Sequence, residues 1–370
     1  MGRDHAGARV ILSMRPRLSN WENLASIARR SQCLGGLQVK IKHPYLLFIG
    51  DAADQLAAKT ANGVKVWRPD WCKGQFRLPG CKADLGIPDM NIAQAAKAGV
   101  KTVLVGVANR GGVIPASWEK HLVKAVELGM DVASGLHTSL HDLPKLAAAA
   151  KANGRSLFDV RRPDREFDVG NGIKRKGKRL LTVGTDCSVG KMFTTLALER
   201  EMRARKMKAD FRATGQTGIF IAGRGVSIDA VVSDFISGAV EWLAPENDAD
   251  HWDLIEGQGS LFHASYAGVT LGLIHGSQAD AMVVCHEHGR PHMRGLPGYK
   301  HPSLEDCIAR NVEAGQLTNP KVKCVGIAIN TQRLGEKDAI KLLKKTEDKL
   351  GLPTVDPLRT GVAPIVDVLR

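Results

Sequence analysis

Residues 179–199 read RLLTVGTDCSVGKMFTTLALE. An apolar run through Leu180, Leu181 and Val183 reads as a buried strand, a glycine-bounded turn carries the chain from Gly184 to Gly190, and a helix begins at about Gly190. Backbone N–H groups of such a turn and the dipole of the helix converge on one spot, and that spot attracts phosphate. Lys191 adds a full positive charge on a flexible stem, while glycine at 184 and 190 lets the backbone approach an anion. The stretch predicts a phosphate-binding site made by Gly184, Thr185, Asp186, Cys187, Ser188, Val189, Gly190 and Lys191. It departs twice from the usual nucleotide loop. Five residues rather than four separate the glycines, and Met192 stands where nucleotide hydrolases place a magnesium-binding hydroxyl. A thioether is a poor ligand for so hard an ion. Thr194 and Thr195 do not replace it, because they lie off-axis or a turn further along the helix. No metal is therefore expected. A phosphate-bearing ligand that travels without one fits better, and the pyrophosphate and ribose phosphate of coenzyme A are candidates.

The same alternation of short apolar runs and longer helical ones extends both ways from the loop. Downstream, KADFRA, WDLIEG, AMVVC, KVKCVGIAIN and LPTVD read as strands. Between them fall helices around Ile228–Glu241 and Leu304–Ala314 and over EKDAIKLLKKTEDKLG. Upstream, YLLFIG, GVKVW, KTVLVGV and MDVASGL read as strands, and AADQLAAKTA, IAQAAKAG, SWEKHLVKAVELG and DLPKLAAAAKANG as helices. Strands separated by helices imply parallel pairing with both faces covered. The expected fold class is α/β, with two open parallel-sheet domains at residues 39–160 and 179–370. A charged, glycine-bearing linker at 161–178 joins them. Residues 1–38 show no clear period and read as a basic, disordered extension, or as an Arg-rich transit peptide.

Composition narrows the function classes. The net charge of +14 invites a nucleic-acid reading, but it is unevenly spread. Residues 1–43 carry eight Lys/Arg against two acids, and residues 161–180 carry eight against three, so these two segments hold most of the excess. No aromatic-interleaved basic face of the kind that stacks bases is present, so a solvated surface is the better reading. No run of about 18 apolar residues suggests a membrane span. Seven cysteines, an odd number with no CxxC pair, suit a reducing compartment, and the cytoplasm is expected.

Ligands of open parallel sheets sit beyond the C-terminal ends of the strands. There the second domain carries TGQTG (214–218), EGQGSLFH (256–263) and CHEHGRPHMRG (285–295). Asp253 and Glu256 straddle the position of an acidic residue beside Lys191, which is either a counter-ion or a base. His286, His288 and His292 follow a strand in a Gly/Pro-rich loop and lack the helical HExxH spacing of a zinc site. Arg290 and Arg294 suit carboxylates, because a guanidinium meets that group with two parallel hydrogen bonds. Cys187, near a helix N-terminus, is open to acidification but is more simply a small loop residue. In the first domain, residues 67–91 form a long loop containing Trp67 and Trp71. VANRGGVIPASW places Arg110, and SGLHTSLHDLP places His137 and His141, at further strand ends.

The loop GTDCSVGK resembles the GTDxxVGKT loop of dethiobiotin synthetase, a phosphate binder with the same longer spacing. Across residues 40–370, a wider set of segments is similar to the D-glutamate N-acetyltransferase family. They are PYLLFIGDAADQLAAKTA, WRPDWCKGQFRLPGC, ADLGIPDMNIAQA, GVANRGG, GLHTSLHDLP, GTDCSVGKM, ATGQTGIFIAG, DLIEGQGSL and GLPTVDPLRTG. The resemblance implies a Rossmann-like N-terminal domain and a P-loop NTPase-like C-terminal one. It also implies transfer of an acetyl group from acetyl-CoA, as co-substrate, to the amine of D-glutamate in D-amino-acid catabolism. On that reading Glu256, His137 and His286 are candidates to take the ammonium proton, backbone amides of EGQG to stabilise the oxyanion, and Arg110 and Arg290 to hold the carboxylates. The expected partners are a small-molecule substrate and further copies of the chain, with no nucleic acid and no membrane. The alternative is an ATP-dependent ligase or kinase related to dethiobiotin synthetase, which Met192 argues against. A nucleotide-sensing module without turnover ranks third.

Overall fold

Tyr45–Gly50 (YLLFIG) is apolar almost throughout and every residue is buried, as a strand covered on both faces requires. It forms β1 in a computed structural model that describes residues 41–55, 57–109, 112–163 and 165–369. The basic extension expected over 1–38 lies outside the described residues, as does Arg110. After β1 come α1 (Lys59–Trp67), β2 (Cys72–Arg77), α2 (Ile92–Lys97), β3 (Thr102–Val105), α3 (Ala116–Glu127), β4 (Asp131–Ser134), α4 (Pro144–Ala152) and β5 (Leu157–Asp159). The five strands pair in parallel in the order β2-β1-β3-β4-β5.

The second sheet begins at β6 (Lys178–Gly184), whose exit leads into α5 (Lys191–Ala204). There follow β7 (Ala209–Arg212), α6 (Gln216–Ala222), α7 (Ile236–Leu243), β8 (Trp252–Ile255), α8 (Ala267–Ser277), β9 (Ala281–Glu287), α9 (Leu304–Gln316), β10 (Lys323–Asn330), α10 (Glu336–Leu350), β11 (Thr354–Val355) and α11 (Ala363–Asp367). Six strands run parallel in the order β11-β10-β9-β6-β8-β7. The two-sheet α/β expectation therefore holds. Among the described residues no helix is long and apolar enough to cross a membrane.

Several local expectations fail: the helix expected over AADQLAAKTA begins only at Lys59, and the one expected around Ile228–Glu241 runs only from Ile236. GVKVW is not a strand but the second half of α1, and the next strand, β2, lies inside the stretch expected to be a loop. Thr60, Gly63, Val64 and Trp67 are buried together, which is the i, i+3, i+4, i+7 spacing of a helix face. That face meets the second sheet's α6 and α5. Thr217 Oγ1 donates to Thr60 Oγ1 at 3.4 Å, and Trp67 packs edge-on against Phe193 with ring centroids 5.7 Å apart. Tyr45 adds a hydroxyl bond to the Phe220 carbonyl at 3.4 Å. One apolar core is thus continuous from Phe48 and Val64 to Leu196 and Phe220.

Candidate phosphate site

In the second sheet β6 lies between β8 and β9, and the loops that leave these three strands share one crevice. The loop from 185 to 190 is shaped by cations behind it. Lys191, buried in the first turn of α5, turns its Nζ back to the carbonyls of Asp186 and Gly259, each at 2.8 Å. Arg290 donates to the carbonyls of Cys187 (2.7 Å) and Ser188 (2.9 Å). With three successive carbonyls drawn inward, the amides of Ser188, Val189 and Gly190 meet no acceptor among the described residues. The N-terminus of α5 has no side-chain cap, so its first-turn amides are open too. Ser188 (φ 54°) and Gly190 (φ 102°) hold left-handed conformations, which form the concave nest of amides that suits an anion. Glycine at 190 removes the strain a side chain would carry there.

Asp186 anchors this arrangement. Its fully buried carboxylate accepts from Cys187 N (2.6 Å), Arg290 Nη1 (2.6 Å), Arg294 N (2.9 Å) and His301 Nε2 (3.3 Å). Burial alone would raise its pKa, but these donors outweigh it and hold the carboxyl below the usual carboxylate range. Arg290 also pairs with Glu287, which Arg333 reaches at 3.3 Å. Arg290 is thus not a free carboxylate clamp: both terminal nitrogens are occupied by the loop and its neighbours. The Arg294 guanidinium bonds only to Ser188 Oγ among the described residues, so it retains donors for a ligand. His301 and Arg294 as loop partners are absent from the sequence reading, because both come from a segment that returns to the loop only in three dimensions.

Glu256 follows β8 and is buried 4% exposed beside the same lysine. Its Oε2 accepts from the amides of Thr214 (3.0 Å) and Gly215 (3.2 Å), and Oε1 from Gln258 at 3.2 Å. Burial raises its pKa to about 7 against the pull of those donors and of Lys191. His286 sits on Thr185, with Nδ1 and Oγ1 2.9 Å apart. Burial, then the neighbouring histidines and Arg290, lower its pKa to about 4, so at neutral pH it is an uncharged and weak base. His137 is exposed at the end of β4, and no hydrogen bond joins it to Glu256 or His286. Cys187 is not acidified: burial raises its thiol pKa despite Lys191.

Met192 is half-buried against the core, its methyl near Gly63 of α1, so it faces the seam between the sheets. Asp186, Cys187 and His263 bring ligand atoms within 4.8 Å of one another. Two of the three are already engaged, however. His263 Nδ1 accepts from Ser265 N (3.2 Å), its Nε2 donates to the Arg294 carbonyl (3.0 Å), and Asp186 serves the donors above.

A strand, an amide nest and a lysine-bearing helix on one parallel sheet, packed against a second parallel sheet, define a two-domain α/β protein of the P-loop type. Family models agree: residues 168–366 match a P-loop domain described as a domain of unknown function, DUF1611, and residues 76–163 match its Rossmann-like partner. A protein named D-glutamate N-acetyltransferase from Tritonibacter scottomollicae is 57% identical over 89% of this chain and 99% of its own. A second of that name, from a Pseudoalteromonas species, is 49% identical over the same shares. The crystal structure of a DUF1611 family protein from Anabaena variabilis ATCC 29413 superposes with a TM-score of 0.77 at 30% identity, covering 87% of this chain and 99% of that one. The chain belongs to the family of these D-glutamate N-acetyltransferases, whose two domains the models describe as DUF1611.

Proposed function

We propose that the protein transfers the acetyl group of acetyl-CoA to the amine of D-glutamate, as an early step of D-amino-acid breakdown in the cytoplasm. Acyltransferase chemistry follows from the family; donor, acceptor, pathway and compartment belong to the proposal. The observation that carries it is the row of amides at 188–190 left without an acceptor among the described residues, with Lys191 tied to the carbonyls of Asp186 and Gly259 and Met192 in place of a metal-binding hydroxyl. Such a nest suits the phosphates of a coenzyme that reacts without a metal.

In the reaction the ammonium of the acceptor gives up one proton, and the free amine adds to the thioester carbonyl carbon. The C–S bond then breaks, the nitrogen loses its second proton, and the departing thiolate gains one. Glu256, with a pKa of about 7, is matched to take a proton at neutral pH. The amide of Gly257 is already given to Thr182 Oγ1 at 3.0 Å, which leaves those of Gln258 and Gly259 as oxyanion donors. The test is to incubate the full chain with acetyl-CoA and a panel of D- and L-amino acids, following free thiol with and without a chelator. Thiol release with D-glutamate that ignores chelation is the expected result. Activity that requires ATP and magnesium would replace this reading with the ligase or kinase.

A further inference from the structure

A cavity of about 460 Å³ opens beyond the C-terminal ends of β1 and β3, lined mostly by first-sheet residues and by Arg294. In the order β2-β1-β3-β4-β5 the connections leaving β1 and β3 go to opposite sides, and the divergence leaves a crevice where doubly wound sheets take their ligands. Gly50 makes the turn into it with φ 51°, and a Cβ there would stand 2.7 Å from the Trp118 indole. The lining is charged and incompletely paired. Asp51 Oδ1 accepts from Trp118 Nε1 (3.0 Å) and Asp54 Oδ1 from Ala57 N (2.7 Å), while each Oδ2 has no partner among the described residues. Asn109 gives its amide to the Val113 carbonyl (2.8 Å), and its buried Oδ1 likewise finds no partner among them. The lining also holds Lys59 and Arg294, neither within ion-pair distance of a described carboxylate.

We infer that this cavity is the subsite for the acyl acceptor, and that it recognises an amino acid carrying an additional carboxylate. The ammonium meets Asp51 Oδ2, Asp54 Oδ2 and Asn109 Oδ1, and the carboxylates meet Lys59 and Arg294. Partial burial and then the facing Arg294 both lower the pKa of Lys59, so two cations are held together without an anion between them. An anionic group from the ligand removes that conflict, and a guanidinium binds a carboxylate through two bonds. The volume lies in the range of small-molecule sites. Arg294 also ties this cavity to the phosphate loop: its amide holds Asp186 and its guanidinium holds Ser188 Oγ. Donor and acceptor sites thereby share one residue, as a transfer between them requires.

This assignment rests on the transferase reading, so its test includes binding without turnover. D-glutamate, and glutarate as an analogue lacking the ammonium, are titrated calorimetrically into the full chain with and without saturating coenzyme A. Lys59→Met is expected to weaken both ligands by about tenfold, the worth of one charged hydrogen bond. It should raise KM for D-glutamate alike and leave KM for acetyl-CoA unchanged, and Lys59→Arg should recover most of the loss. Asp54→Asn, which can keep the Ala57 bond, should weaken D-glutamate but not glutarate. Wild-type affinity for D-glutamate in Lys59→Met, or no binding to the wild-type chain under either condition, overturns the assignment. Lys59-dependent binding without any acetyl transfer would instead sink the transferase reading and leave the cavity assignment standing.

Discussion

The crevices at the ends of the two sheets are built on opposite principles. In the second sheet the charges that hold the loop are already answered: Asp186, Arg290 and Lys191 bond to one another or to loop carbonyls, and a row of backbone amides is left without an acceptor among the described residues. In the first sheet Lys59, Asp54 and the Asn109 carbonyl face a cavity with their valence unspent. A site whose charges are neutralised internally binds by preorganised dipoles and suits a group common to many ligands, such as phosphate. A site of unpaired side-chain charges selects by the number and sign of charges on its ligand. On the proposed assignment, the half that takes the coenzyme is preorganised and generic, and the half that takes the acceptor is selective.

The sharpest way to break that contrast is Asp186→Ala. The substitution leaves the Arg290 guanidinium largely buried without its carboxylate and releases the donors of Arg294 and His301. Removing one partner of a buried pair costs about 3–5 kcal/mol. Denaturant unfolding should show a loss of that size, with coenzyme A affinity falling more than D-glutamate affinity. A loss under about 1 kcal/mol, the worth of a surface pair, would mean the loop is not held by this hub.

Glu256→Gln tests whether the buried carboxyl works as a base or as a counter-ion. If it is the base, kcat/KM of the wild type rises as pH passes through about 7, and the variant loses this limb together with about a hundredfold in kcat. The stability consequence runs the other way. A carboxyl raised from 4.5 to about 7 favours the protonated native state, so its contribution is whole below pH 4.5 and gone above about pH 7. Wild-type stability should fall by about 3 kcal/mol across that window, and the variant should flatten the fall. A variant with full turnover and an unchanged pH profile removes Glu256 as base while leaving the crevice contrast intact.

How much of this was legible follows the range of the interactions. β6, its loop and α5 announce themselves because glycines, lysine and apolar run are adjacent in sequence. α8 does not: AGVTLGLIHGS carries three glycines, which count against a helix. Those at 272 and 276 are needed because a Cβ would stand 2.4 Å from Ile236 Cγ2 and from the Ser237 carbonyl of α7. Tertiary approach overrides local propensity there. The site divides along the same line. The loop residues 184–191 are readable as a set, whereas Arg290 reads as a clamp because nothing local says that Asp186 and two carbonyls consume it. The Lys59–Arg294 pairing spans both domains, and no spacing rule reports it.

The smallest expected effect concerns the seam between the two crevices. Gly63 lies in α1 where a Cβ would stand 2.8 Å from Thr217 Cγ2 and 3.8 Å from the Met192 methyl, and Met192 directly follows the phosphate lysine. Gly63→Ala gains about 1 kcal/mol of helix propensity and loses about 1–3 kcal/mol to overpacking, so the net change in stability should be within about 1–2 kcal/mol. Its kinetic signature matters more. The added methyl pushes on α6 at Thr217 and comes into ordinary contact with Met192 in the first turn of α5, while Lys59 sits at the start of the same α1 that carries it. If the crevices work as one active site across this seam, the KM values for acetyl-CoA and D-glutamate should rise together by a small factor. A rise in one alone would mean that the seam is only a packing surface and that each crevice is positioned by its own sheet.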